Sequence, residues 1–188
     1  MKEVLEKFKK GTTIEFGNNK AVIISDLMKL NEFYYLIADV TKNIDFNMPC
    51  ATRKITENLA LIIRDKELLL KMGFSKEERK AIYCHELGHS FSENQQIENN
   101  DDKRCIETEI NCDTFAIEKC GISSEILENA LRKTYEYEIK NIDKKQNMTQ
   151  ERLDRFVNEM RLRKRNIERI RSNNKKNTEN DKQDYTRE

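Results

Sequence analysis

The stretch SKEERKAIYCHELGH, residues 75–89, decides how the rest of the chain is read. Ser75 followed three positions later by Glu78 is a capping-box pattern, which predicts a helix running from there to about Phe91 or Glu93. His85 and His89 stand four apart, one turn along the same helix face, so both imidazoles can address one ion. Glu86 is rotated by about 100° from His85 and can reach a water on that ion without ligating it. Neutral imidazole suits Zn2+, for which three protein ligands leave a fourth position to water. Both histidines of the chain lie in this HExxH pattern, so the spacing is not a by-product of a His-rich sequence.

With no further His, a third protein ligand must be Asp, Glu or Cys. Residues 103–120 read as a second helix, closed by Gly121 at the C′ position. It carries Glu109 and Asp113, again four apart, flanked by Ile106, Ile110, Ala116 and Ile117. Glu109 is the candidate ligand. Asp113, one turn on, would hydrogen-bond a liganding imidazole, His85 first of all, and fix its tautomer. A solvated face is the competing reading for any helical carboxylate pair, and the apolar flanks argue against it. Cys84 and Cys112 offer thiolates as alternative ligands. Helical geometry turns Cys84 about 100° from His85 and leaves Cys112 about 60° short of a full turn past Glu109. Core packing is therefore the favoured role for both.

Ahead of this pair the chain reads as strands. Residues 12–16 and 21–25 flank Gly17-Asn18-Asn19 and form a hairpin pattern; residues 33–40 and 59–64 are apolar runs of strand length. Pro49 breaks any regular element over residues 43–54. Val4, Leu5 and Phe8 give weak helical spacing ended by Gly11, and the polar residues 94–102 read as a loop. After the second helix, Ser123 or Ser124 caps a third with Ile126, Leu127, Ala130 and Leu131. A fourth runs from Thr149 to about Arg171, with Met148 and Leu153 as a hydrophobic staple and Leu153, Phe156, Val157 and Met160 as an apolar stripe.

The chain is 188 residues long, 37% hydrophobic and 37% charged. That length suits one domain, and the high charge implies that part of the chain stays outside a core. No apolar run is long enough to span a bilayer, and the charged N-terminus is not a signal peptide. The five cysteines then read as reduced thiols of a cytoplasmic protein. Residues 141–188 hold 14 basic and 9 acidic side chains. The division expected is a mildly acidic domain at 1–140 and a basic helical extension at 141–188, disordered beyond Ser172. The run 161–165, with Arg169 and Arg171, could meet nucleic acid phosphates; its interspersed acids and lack of stacking aromatics favour a solvated helix face.

HELGH (85–89) and Glu109-Ile-Asn-Cys-Asp113-Thr-Phe-Ala116 together resemble the HExxH…ExxxD signature of gluzincin metallopeptidases, with Cys112 where Ala is common. The small soluble relatives of HtpX-type peptidases (minigluzincins) and the ImmA/IrrE family are the groups most similar to it, over about residues 55–131. The resemblance implies a zincin-like α+β fold: a small twisted sheet packed on an active-site helix and a glutamate helix. It implies Zn2+ held by His85, His89 and Glu109, with Glu86 as general base in peptide-bond hydrolysis. Residues 59–64 would be the edge strand that holds an extended peptide, and Tyr135 and Tyr137 are candidates for oxyanion stabilisation. The substrate implied is a peptide or protein, a transcriptional repressor in the ImmA-like case. The rival from another class is a catalytically silent binding module whose basic tail recruits a protein or nucleic-acid partner.

Overall fold

The structure, a computed structural model, describes residues 6–46, 48–91, 102–141 and 149–184, with backbone alone at 102–105 and 175–184. It is an α+β arrangement. Among the described residues, six strands lie ahead of five helices: β1 Thr13–Phe16, β2 Asn19–Ile23, β3 Met28–Leu30, β4 Phe33–Lys42, β5 Cys50–Thr56 and β6 Leu59–Arg64. The helices are α1 Lys66–Lys71, α2 Lys76–Phe91, α3 Asp102–Glu118, α4 Ser124–Lys140 and α5 Gln150–Asp184.

β1 and β2 form the expected hairpin, with Gly17 supplying a left-handed φ of 55° at the turn. The sheet order is β1-β2-β4-β6-β5, and β3 also pairs with β4. β4 and β6 run parallel, and every other pairing is antiparallel. The chain thus passes from β4 to the far strand β5 and returns to insert β6 between them. This corrects the edge assignment: residues 59–64 are flanked on both sides, and the edge is β5. The sequence of β5, CATRKIT, has no clean apolar alternation, and the strand escapes a periodicity reading; its Arg53 and Lys54 are exposed, as suits an edge.

β6 shows why its sequence is apolar throughout. Ala60 and Ile62 join Leu69, Phe74, Ile82, Leu87 and Phe115 under the helices, whereas Leu61 and Ile63 pack on the other face with Ala21, Ile23, Leu36 and Phe46. A strand covered on both sides has no polar face to alternate. A third cluster joins the helices to one another, with Cys84 of α2, Ile117 of α3, Leu131 of α4 and Met160 and Ile167 of α5.

α5 departs from expectation. Its backbone stays helical to Asp184, past the Ser172 limit at which the sequence reading placed a disordered tail. No Gly or Pro follows Gly121, and extending a nucleated helix adds one bond per residue fixed, so no breaker ends it. α1 was not expected: Asp65 caps it by accepting from the Leu68 amide at 2.9 Å. Met148, most of the polar 94–102 segment and Val4 and Leu5 lie outside the described residues.

Candidate metal centre

The capping box that starts α2 forms as the sequence requires. Ser75 Oγ accepts from the Glu78 amide at 3.1 Å, and Glu78 Oε2 accepts from the Ser75 amide at 2.6 Å. Glu78 also takes a hydrogen bond from Lys133 Nζ of α4 at 2.7 Å. Desolvation alone would raise the Glu78 carboxyl, but Lys133 and Ser75 hold it below the usual range. Further along, Arg64 at the end of β6 donates to Tyr83 Oη at 2.7 Å, and Ser90 Oγ and Thr52 Oγ1 share a hydrogen bond of 2.8 Å. α2 is therefore fixed at its start to α4 and along its length to β6 and the edge strand β5.

α3 ends as predicted. Gly121 has φ 68°, and the Ile122 amide reaches back six residues to the Ala116 carbonyl at 3.1 Å, so the chain turns off the helix at a left-handed glycine. Ser123 then caps α4 by accepting from the Glu125 amide. Gly88 lets α3 approach α2. A Cβ built on Gly88 would stand 2.7 Å from Cys112 Cα, inside any tolerable contact.

That approach brings the expected ligands together. His85 Nε2 lies 3.1 Å from Glu109 Oε2, and His89 Nε2 lies 3.3 Å from Glu109 Oε1. One donor atom from each of His85, His89 and Glu109 lies within 4.8 Å of the others. Ligands about 2.0–2.2 Å from a tetrahedral ion stand about 3.3–3.6 Å apart; the two imidazole nitrogens meet different oxygens of Glu109, so this donor set could hold a zinc-type ion once one of those oxygens faces both rings. Asp113 is fully buried, and its Oδ1 accepts from His85 Nδ1 at 2.8 Å, which leaves Nε2 facing Glu109.

One member of the centre was not foreseen. Arg163 of α5 is buried, donating from Nε to Asp113 Oδ2 at 2.8 Å and from Nη2 to Asp113 Oδ1 at 2.9 Å. Its Nη1 lies 3.1 Å from Glu109 Oε2 and 3.3 Å from Glu159 Oε1. The sequence holds a signal for it. Met160, Arg163, Ile167 and Ile170 recur at spacings of three and four and are all buried, so Arg163 occupies a core position of an apolar stripe. A cation in such a position needs a buried anion, and a solvated helix face does not describe it.

These contacts set the charge states without an ion present. Burial and the Arg163 charge both oppose protonation of His85, yet hydrogen bonds to Asp113 and Glu109 outweigh them and hold its pKa up at about 9. Desolvation would raise Glu109 and Asp113, but the imidazoles and Arg163 keep both carboxyls below their ordinary range. Glu86 is the exception. Desolvation raises it, and the pull of His85 and His89 does not cancel that rise.

Cys84, Cys112, Tyr135 and Tyr137 take packing roles. Cys84 sits in the inter-helical core, and Cys112 packs against Gly88 with its thiol pushed up by burial and by Glu109. Tyr135 stacks on Phe156 with ring centroids 5.8 Å apart, and Tyr137 packs against the core beneath the sheet. No helix among the described residues is long and apolar enough to cross a membrane. Comparison with protein-family models, with curated proteins and with solved structures returned no match.

Proposed function

We propose that this chain is a zinc-dependent metallopeptidase of the gluzincin type, built on a zincin-like α+β fold and working in the cytoplasm. The observation that supports it is the meeting of His85, His89 and Glu109, with Asp113 behind His85 and Glu86 beside it. Zn2+, when bound there, lowers the pKa of a bound water and polarises the carbonyl of the scissile amide. Glu86, its carboxyl already raised by desolvation, takes a proton during attack on the amide and hands it to the leaving nitrogen. Asp113 holds the His85 ring in one tautomer and one orientation. The free edge of β5 offers backbone groups to an extended peptide or protein substrate, and the Thr52–Ser90 hydrogen bond keeps that edge against α2.

One observation favours a second reading. Arg163 already pairs with both Glu109 and Asp113, as it would in an ion-pair network that only ties helices together in a catalytically silent binding module. Two measurements separate the readings. Metal analysis of purified protein should find a single equivalent of zinc, and cleavage of a fluorogenic peptide library should stop when a chelator is added and return with zinc. Zinc-free protein with an unchanged fold supports the network. Bound zinc without cleavage supports the silent module.

A further inference from the structure

We propose that Arg163 is a positioning residue of the metal centre: its guanidinium clamps Asp113 and braces Glu109, so that α5 helps to set the ligand geometry. The inference rests on the metal-centre reading above and extends it to a helix outside the HExxH and ExxxD segments.

The geometry is specific to a guanidinium. Nε and Nη2 meet the two oxygens of Asp113 at 2.8 and 2.9 Å, which fixes both the position and the plane of that carboxylate. Oδ1, one of the two oxygens so held, is the acceptor for His85 Nδ1. The third nitrogen, Nη1, reaches Glu109 Oε2, the oxygen that faces His85 Nε2. A single planar group therefore touches both site carboxylates of α3, one helical turn apart. A lysine ammonium, a point charge on a flexible stem, cannot reproduce that fork.

Arg163 is itself held. Met160, Ile167 and Ile170 seat the same face of α5 in the core, and Asn166 Nδ2 donates to Thr114 Oγ1 at 3.2 Å. Further along, Arg171 donates to Ser124 Oγ at 3.1 Å and to Glu128 Oε2 at 2.6 Å. A general structural ion pair could sit anywhere along α5; this one falls on the two carboxylates that face the histidines. Groups that orient metal ligands commonly change affinity by about 10–100-fold when removed.

The test uses the full chain carrying Arg163→Lys or Arg163→Gln, with Arg165→Lys on the exposed face as control. Zinc affinity is read by competition with a chromophoric chelator, beside the thermal midpoint and the far-ultraviolet circular dichroism. The expected result is a folded Arg163→Lys protein whose zinc affinity is about 10–100-fold below that of the unaltered chain, with the control unchanged. Unaltered affinity in folded Arg163→Lys overturns the inference and leaves the metal-centre reading standing. Absence of zinc binding by the unaltered chain overturns both. Should neither Arg163 variant fold, the unaltered protein decides by nuclear magnetic resonance. The Arg163 Hε signal should exchange slowly with solvent and shift when zinc is added, and a signal that zinc leaves in place overturns the inference.

Discussion

Gly88 and Cys112 meet where α2 packs on α3: a Cβ on Gly88 would stand 2.7 Å from Cys112 Cα, 3.0 Å from its Cβ and 3.2 Å from its Sγ. Glu109 lies one turn before Cys112 and His89 one residue after Gly88, so the same approach governs the distance from carboxylate to imidazole. The helix spacing and the carboxylate–imidazole geometry are one variable.

Gly88→Ala is therefore expected to cost about 1–3 kcal/mol of stability through overpacking and to weaken zinc binding with it. The nearest atom is backbone, so trimming the neighbour in Gly88→Ala/Cys112→Ala should not restore either property. Cys112→Ala alone should bind zinc normally. Denaturant midpoints together with zinc stoichiometry check all three variants, and recovery in the double variant would show that the thiol, not the backbone, sets the spacing.

Glu86→Gln should keep its zinc and lose peptide cleavage, because the amide preserves the shape of the side chain but cannot take up the proton. His85→Ala should lose the metal itself. Cleavage at the unaltered rate in Glu86→Gln would remove Glu86 from the role of base.

Without metal, stability should fall as the pH rises from about 6.5 to about 9. The His85 pKa is near 9 in the folded protein and near 6.5 in the unfolded chain, so across that window the folded state binds more protons. The contribution of His85 is complete below 6.5 and lost as its folded pKa is passed, an effect of order a few kcal/mol. Zinc must displace that proton, so zinc affinity should climb over the same interval. Chemical denaturation in chelator at several pH values, and zinc competition at the same values, test the two halves; a flat apoprotein profile contradicts the first.

The opposite sign applies at Glu78. Its carboxyl is held below its ordinary value, so its contribution is present above about 4.5 and is lost as the pH falls through the folded pKa. Lys133→Met should remove about 1 kcal/mol at neutral pH, the charge-assisted hydrogen bond being partly exposed. It should also flatten the acid limb of the stability curve. Urea midpoints at pH 3 to 7 for both proteins provide the comparison.

What could be read from the sequence was local. The Ser75–Glu78 box, the Gly17 turn, the Gly121 C-cap and the helices that set His85 one turn from His89 and Glu109 one turn from Asp113 are all settled by neighbours within six residues, and each of these local features is found as expected. β5 and the insertion of β6 escaped because strand order depends on where a distant partner lies, and the CATRKIT pattern carries no face preference. Arg163 escaped for a related reason. Its partner Asp113 is 50 residues away, and a run of arginines looks solvated unless the apolar stripe is followed past Met160 to Ile167 and Ile170.

The contribution of α5 also has a consequence in time. A ribosome releases the chain from its N-terminal end, so the histidines and Glu109 emerge well before Arg163. A nascent polypeptide that has built the sheet and the first four helices still lacks the guanidinium that Asp113 requires. Assembly of these contacts is thereby deferred until α5 has been made, and a chain abandoned before that point carries the HExxH motif without its complete surroundings.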